Sequence, residues 1–161
     1  MKTNSFVIRQ ALAAELPAVR EIFLEYLASL SVDTRFQNVE AELASLPGAY
    51  AQPEGALLLA LQQAQLVGCC ALRALPPDAY ANAAEMKRLY VRPAFRGQGL
   101  GRQLAEAALD AARQSGYRCV LLDTLSDMEA ARALYEDLGF TEIPAFYDNP
   151  LSGAHYLKVD V

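Results

Sequence analysis

Apolar residues along this chain follow two different spacings, and the changes between them divide it into strands and helices. Phe6-Val7-Ile8-Arg9 is a short strand-like run. From Ala13 to Leu30, the residues Leu16, Val19, Ile22, Phe23, Tyr26, Leu27 and Leu30 recur every three to four positions, which sets them on one face of an amphipathic helix. Ser31 to Gln37 is a polar connection, and Val39 to Leu46 repeats the helical spacing until Pro47-Gly48 stops it. Two nearly continuous apolar runs follow, Gly55 to Leu61 and Leu66 to Leu75, joined by Gln62-Gln63-Ala64-Gln65. They read as a β-hairpin too apolar to face water, so its strands belong in the middle of a sheet.

Pro76-Pro77-Asp78 breaks the pattern, and Ala83 to Val91 resumes it as a fourth strand. Strict alternation would put Glu85, Lys87, Leu89 and Val91 on one face and Met86, Arg88 and Tyr90 on the other. A long helix is predicted from Gly99 to about Ser115, burying Leu100, Leu104, Ala107, Ala108 and Ala111, with Gly116 as its stop. Tyr117 to Asp123 returns as a fifth strand. Asp127 is a suitable N-cap for a helix presenting Met128, Ala131, Tyr135 and Leu138 on one face, ended by Gly139. Phe140 to Phe146 and His155 to Val161, joined by a turn over Asp148 to Gly153, would complete the sheet. No repeat, low-complexity tract or interdomain linker interrupts residues 1–161, which read as one domain.

Composition narrows the class. With 161 residues, 53% of them apolar, the chain can bury a substantial core. A net charge of −5 argues against general nucleic-acid binding, which leaves a broad basic footprint. Met1-Lys2-Thr3-Asn4-Ser5 leads straight into a strand without the apolar core of a signal peptide, and the run Ala56 to Leu61 is far too short to span a bilayer. A cytoplasmic protein without a membrane segment is expected. Cys69, Cys70 and Cys119 are odd in number and two are adjacent in an apolar run, so they read as small buried hydrophobes. The only histidine, His155, forms no Cys–His metal spacing, and no metal is expected.

Charge placement and glycine spacing then point to chemistry. Residues 86–105 hold Lys87, Arg88, Arg92, Arg96 and Arg102 and no acid, a window of +5 in a chain whose remaining residues sum to −10. This predicts one strongly cationic patch. The plainer alternative is a solvated basic face beside an ordinary glycine turn. Within the window, Arg96-Gly97-Gln98-Gly99-Leu100-Gly101 falls between a strand and a helix. Glycines let the backbone approach a ligand closely, and the first N–H groups of the helix lack partners at the positive end of its dipole. The expected ligand is an anion such as a phosphate. A dinucleotide fingerprint would need glycine where Arg102 stands, and no Walker A loop is present.

What fits is R-x-x-G-x-G, carried by Arg96, Gly99 and Gly101, and here the sequence resembles the GNAT superfamily of acetyl-CoA-dependent N-acetyltransferases. Two further segments carry the resemblance. Glu85 precedes Arg96 by eleven positions, the spacing of a glutamate general base in histone-acetylating members. Ala133-Leu134-Tyr135-Glu136-Asp137-Leu138-Gly139-Phe140 looks like the family's A-x-x-L-Y-E-x-L-G-F helix end. The resemblance is close over residues 80–145 and is one of pattern only over residues 1–60. It departs at Met128, where many relatives carry an asparagine that contacts the cofactor arm.

The resemblance implies an α/β (α+β) domain with a mixed, mostly antiparallel sheet of about seven strands, splayed between strands four and five where acetyl-CoA enters. It implies acetyl transfer to an amine by direct attack in a ternary complex. Glu85 would be the base and Tyr135 the acid, while Leu89, Tyr90, Val91, Arg96, Gly97, Gln98, Gly99, Leu100, Gly101 and Arg102 would bind the cofactor. The first helix pair would overhang the acceptor, making Tyr26, Phe36 and Tyr50 substrate-pocket candidates. The expected partner is a small-molecule or peptide amine, with neither nucleic acid nor membrane, and a homodimer stays open. So do two readings of the residues: Glu85 as an ion-pair partner of Lys87 or a neighbouring arginine, and the whole chain as a non-catalytic acyl-CoA-binding sensor or assembly module.

Overall fold

The computed structural model describes residues 5–30, 38–147 and 153–161; Phe36 and most of the connection 148–153 lie outside them. Strands β1 (Val7–Gln10), β2 (Ala56–Gln62), β3 (Gln65–Ala74), β4 (Ala83–Val91), β5 (Cys119–Leu125), β6 (Thr141–Ile143) and β7 (Ala154–Asp160) form one sheet in the order β1-β2-β3-β4-β5-β7-β6. Only β4 and β5 are parallel; every other neighbouring pair is antiparallel. Helices α1 (Leu16–Ser29) and α2 (Val39–Ser45) pack on one face, and α3 (Leu100–Gln114) and α4 (Glu129–Asp137) on the other.

This layering explains the continuous apolar runs. Leu58, Ala60, Val67, Cys70 and Leu72 pack under α3, while Leu57, Leu59, Leu61, Leu66 and Cys69 pack under α1 and α2. A strand covered on both faces has no polar side to alternate with. The hairpin closes through Gln63 and Ala64, both at positive φ (49° and 69°), so that Gln62 pairs Gln65. All three cysteines are free and buried, and burial pushes the Cys70 thiol up to about 12.

Two details decide the site. Ladder pairing between β4 and β5 covers only Ala83–Cys119, Ala84–Val120 and Glu85–Leu121, after which the strands part. The expected splay is thus present, and it begins immediately after Glu85. The second detail corrects the expected alternation along β4. Lys87 pairs Ala71 and Tyr90 pairs Cys69, so Arg88 and Leu89 share the space opposite Cys70, with Arg88 at φ +61°. This bulge reverses the parity of everything beyond it. Met86, Leu89 and Val91 therefore all pack on the α3 side, while Arg88 and Tyr90 turn towards α2 and α1.

Two boundaries differ from expectation for local reasons. Asp127 is not the N-cap of α4: a turn closed by Met128 N–H donating to the Leu125 carbonyl (3.0 Å) delays the helix, and Met128 caps it without a side-chain bond. The strand expected from Phe140 to Phe146 shrinks to Thr141–Ile143, because Pro144 has no N–H for the ladder.

Candidate functional site

The strand-to-helix turn is built as an anion cradle. Gly97 and Gly99 adopt φ of +81° and +79°, a region that L side chains rarely occupy, and a Cβ on either would meet nothing within 4 Å. Gly99 is the N-cap of α3, without a side-chain cap, and the first helical bond is from Gln103 N–H to the Gly99 carbonyl (3.1 Å). The N–H groups of Leu100, Gly101 and Arg102 therefore precede the helical ladder, at the positive end of a 15-residue helix. Leu100 contributes through its backbone, because its side chain is buried beneath α3, and Gln98 is exposed. A pyrophosphate fits such a turn.

A groove runs from this turn along the edge of β4, lined by Leu89, Tyr90, Val91 and Arg96 and, across the splay, by Met128 and Ala131. Arg96 donates from Nε to the Val91 carbonyl (2.8 Å), and its guanidinium lies 5.5 Å over the Tyr90 ring. The five cations of the window do not form one patch, which corrects the sequence expectation. Arg88 pairs with Glu42 on the opposite face, Arg92 with Glu25, and Arg102 with Asp137 of α4; only the backbone N–H of Arg102 stays with the turn.

The groove ends at a narrow slot of about 50 Å³ where the strands part, lined by Lys87, Asp123, Thr124, Met128, Tyr26 and Tyr135. Tyr135 is 7% exposed, rests 5.6 Å from the Phe140 ring, and its hydroxyl forms no hydrogen bond among the described residues. Burial raises its pKa well above the ordinary value, so the phenol stays protonated at neutral pH. Tyr26 lies 5.6 Å from Tyr90 and lines the slot and groove, and burial pushes its pKa up to about 12.

Beyond the slot, on the α2 face of the sheet, a cavity of about 460 Å³ opens between α2, the 3₁₀ turn Gly48–Tyr50, and strands β3 and β4. Tyr50 lines it but is largely buried, edge-on to Phe23 at 6.2 Å. Tyr26 does not line this cavity, and Phe36 lies outside the described residues. Glu85 stands at its inner wall, 1% exposed. Oε1 of Glu85 accepts from Nε of Arg73 at 2.8 Å, and Nη2 of Arg73 also lies 2.8 Å from it. Oε2 has no hydrogen bond among the described residues. The ion pair left open by sequence thus exists, with Arg73 as the partner rather than Lys87. Lys87 lines both cavity and slot, and burial lowers its pKa against the opposing pull of Glu85.

Arg73 and Tyr147, which also lines the cavity, were missed from sequence. Arg73 carried one signal, a lone cation in the apolar run Leu66 to Leu75; Tyr147 carried none. Among the described residues no group of His, Cys, Asp and Glu is placed to hold a metal, and no helix is long and apolar enough to cross a membrane.

Comparison with known proteins agrees with this geometry. The model of the acetyltransferase (GNAT) family matches residues 16–140. An uncharacterized N-acetyltransferase of Schizosaccharomyces pombe is 34% identical over 160 residues, covering 99% of this chain and 96% of that protein. A GNAT-family acetyltransferase from Staphylococcus aureus superposes with a TM-score of 0.79 at 18% identity, over 97% of this chain and 99% of that one. A putative acetyltransferase from Salmonella typhimurium, solved with its cofactor acetyl-CoA, superposes with a TM-score of 0.69 at 24% identity, over 98% of this chain and 94% of that one. With a family model spanning most of its length and a relative matched almost end to end, this chain belongs to the GNAT family of acetyltransferases.

Proposed function

We propose that the protein transfers an acetyl group from acetyl-CoA to a primary amine, by direct attack of the neutral amine on the thioester while both are bound. Bound in the groove, the thioester supplies an activated acetyl group; the N–C bond forms as the C–S bond breaks, and free coenzyme A leaves as the thiol. The turn Gly97 to Arg102 offers backbone donors to the pyrophosphate, and Arg96 adds a charged donor beside it. Leu89, Tyr90 and Val91 hold the arm along the strand edge. No covalent enzyme intermediate is needed, in keeping with cysteines that are buried and, by that burial, held as thiols.

The observation that carries this reading is the state of Glu85. One carboxylate oxygen is pinned by Arg73 and the other is unspent, at the point where β4 leaves β5. A fixed base with a free acceptor oxygen can take the proton that the amine must lose. Tyr135, held as a phenol across the slot, donates to the sulfur as charge develops on it. A thiol has an ordinary pKa of about 8.5, so the donor need only stabilise charge that appears as the bond breaks.

Thiol release from acetyl-CoA, measured across a library of amines with mass identification of the product, tests the proposal. Amine-dependent release is expected. Acetyl-CoA binding without release from any amine would make the protein an acyl-CoA-binding module instead.

A further inference from the structure

The register of β3 against β4 gathers three charged side chains around one alanine on the cavity wall. Arg73 pairs Glu85 across the strands and Ala71 pairs Lys87, so the four side chains share one face, with the small Ala71 leaving room in front of Lys87. Arg73 and Lys87 are diagonal neighbours, about 7–8 Å apart at the backbone, a separation that two long side chains can close onto one ligand group.

The carboxylates around them are already engaged. Glu42 takes two bonds from Arg88, at 3.0 Å from Nε and 2.7 Å from Nη2. Oε1 of Glu85 takes Arg73, and Asp123, which faces Lys87 in the slot, is hydrogen-bonded by Tyr147. The cations are not engaged to the same degree. Among the described residues Lys87, which is half-buried, forms no hydrogen bond or ion pair within 4 Å, and Nη1 of Arg73 carries no bond. The wall therefore presents one unspent acceptor, Oε2 of Glu85, next to unspent cationic donors on two neighbouring side chains.

From this juxtaposition we infer that the acceptor is an amino acid, whose amine is received by Glu85 and whose carboxylate is received by Lys87 and Arg73. Such a ligand completes each unspent group at once. A simple alkylamine or polyamine would bring a third cation beside Lys87 and Arg73 with no anionic group to meet them, and like charges at that separation repel. The inference rests on the acetyl-transfer reading above and names the substrate class of that same site.

The test compares matched acceptors: aspartate, glutamate, methionine and phenylalanine, each beside its carboxamide and its decarboxylated amine, with thiol release as the readout. In parallel, each amino acid is titrated calorimetrically into the protein loaded with coenzyme A. The best amino acid should exceed its amide and its decarboxylated amine by at least about 10-fold in kcat/KM. Lys87→Gln should lower kcat/KM for that amino acid by about 10–10²-fold, through KM rather than kcat, and narrow the gap between acid and amide. Lys87→Arg, which keeps the charge, should retain the preference, and equal melting temperatures exclude a folding defect. Amides or decarboxylated amines turned over as well as the acids would overturn the carboxylate site while leaving acetyl transfer standing. Amino acid binding that Lys87→Gln removes, without thiol release from any acceptor, would sustain the site and overturn the transfer.

Discussion

The two ends of the split between β4 and β5 are made in different ways. On the side proposed for the cofactor, the cradle is a single stretch: Arg96 to Arg102 supplies the turn, the unpaired N–H groups and a charged donor, and the neighbouring strand edge supplies the groove. On the side proposed for the acceptor, the cavity is assembled from α2, the Gly48–Tyr50 turn, β3, β4 and Tyr147, which lie up to about a hundred residues apart in the chain. The cofactor end uses mainly backbone groups, which any sequence with the right glycines can present. The acceptor end uses side chains whose meeting depends on strand register. Variants on the two sides should therefore separate in their kinetics, cofactor affinity on one side and turnover or acceptor KM on the other.

The largest effect is expected at the acceptor wall. Glu85→Gln keeps the shape and a hydrogen-bond acceptor for Arg73 but removes the base, so kcat should fall by about 10²–10⁴-fold with acetyl-CoA affinity nearly intact. Steady-state kinetics with calorimetric titration decide it; unchanged kcat with a lowered melting temperature would return Glu85 to a purely structural pairing with Arg73.

Tyr135→Phe tests the junction between the two ends. The ring and its contact with Phe140 persist, and only the hydroxyl is lost, so kcat should drop by about 10²-fold or more while folding and acetyl-CoA binding remain. A Phe variant that turns over at the wild-type rate across acceptors and pH would leave the thiolate to be protonated by solvent.

On the cofactor side, Arg96→Ala should weaken acetyl-CoA binding by about 1–3 kcal/mol, as for a hydrogen bond to a charged group, with little change in kcat at saturation. Equal dissociation constants for the two proteins would remove Arg96 from the cofactor site.

The smallest expected effect is remote from both ends. Glu15 is bound by Arg9 through two bonds (2.8 and 2.7 Å) and accepts from the Leu12 N–H, which lowers its pKa from 4.5 to about 2. A depressed carboxylate pKa stabilises the fold above the unfolded value and loses that contribution as pH falls from about 4.5 towards 2. Glu15→Gln should lower the melting temperature by a few degrees at pH 7, and the two proteins should converge as the pH approaches 2. Its kinetic constants at neutral pH should match wild type, giving the reference against which the three site variants are read.

The glycine turn was legible in the sequence because it is local. A glycine turn needs φ values that only a few residue types adopt readily, and the need is written at the positions themselves: Gly97 and Gly99 sit at +81° and +79°. The helices and strands were legible for the same reason, since their periods reflect which face is buried, and β4 was placed with its bounds correct. The bulge at Arg88 was not, because arginine has no special liking for φ +61° and the bulge is imposed by pairing with β3. Strict alternation was the only inference the sequence allowed there, and it assigned Arg88, Leu89, Tyr90 and Val91 to the wrong sides. The cationic window failed similarly, because its charges are neutralised by Glu42, Glu25 and Asp137, none of them close in sequence.

By itself, then, the sequence determined the order of elements, the glycine turn and the identity of Glu85 and Tyr135 as candidates, because each is encoded by spacing within one or two elements. The tertiary structure alone decided that Arg73 holds Glu85, that Lys87 has no ion-pair partner among the described residues beside them, and that the split opens immediately past Glu85. Those facts depend on the register of β3 on β4 and on where β4 stops pairing with β5. Register is set by packing summed over the whole sheet, and no short stretch of residues carries that sum.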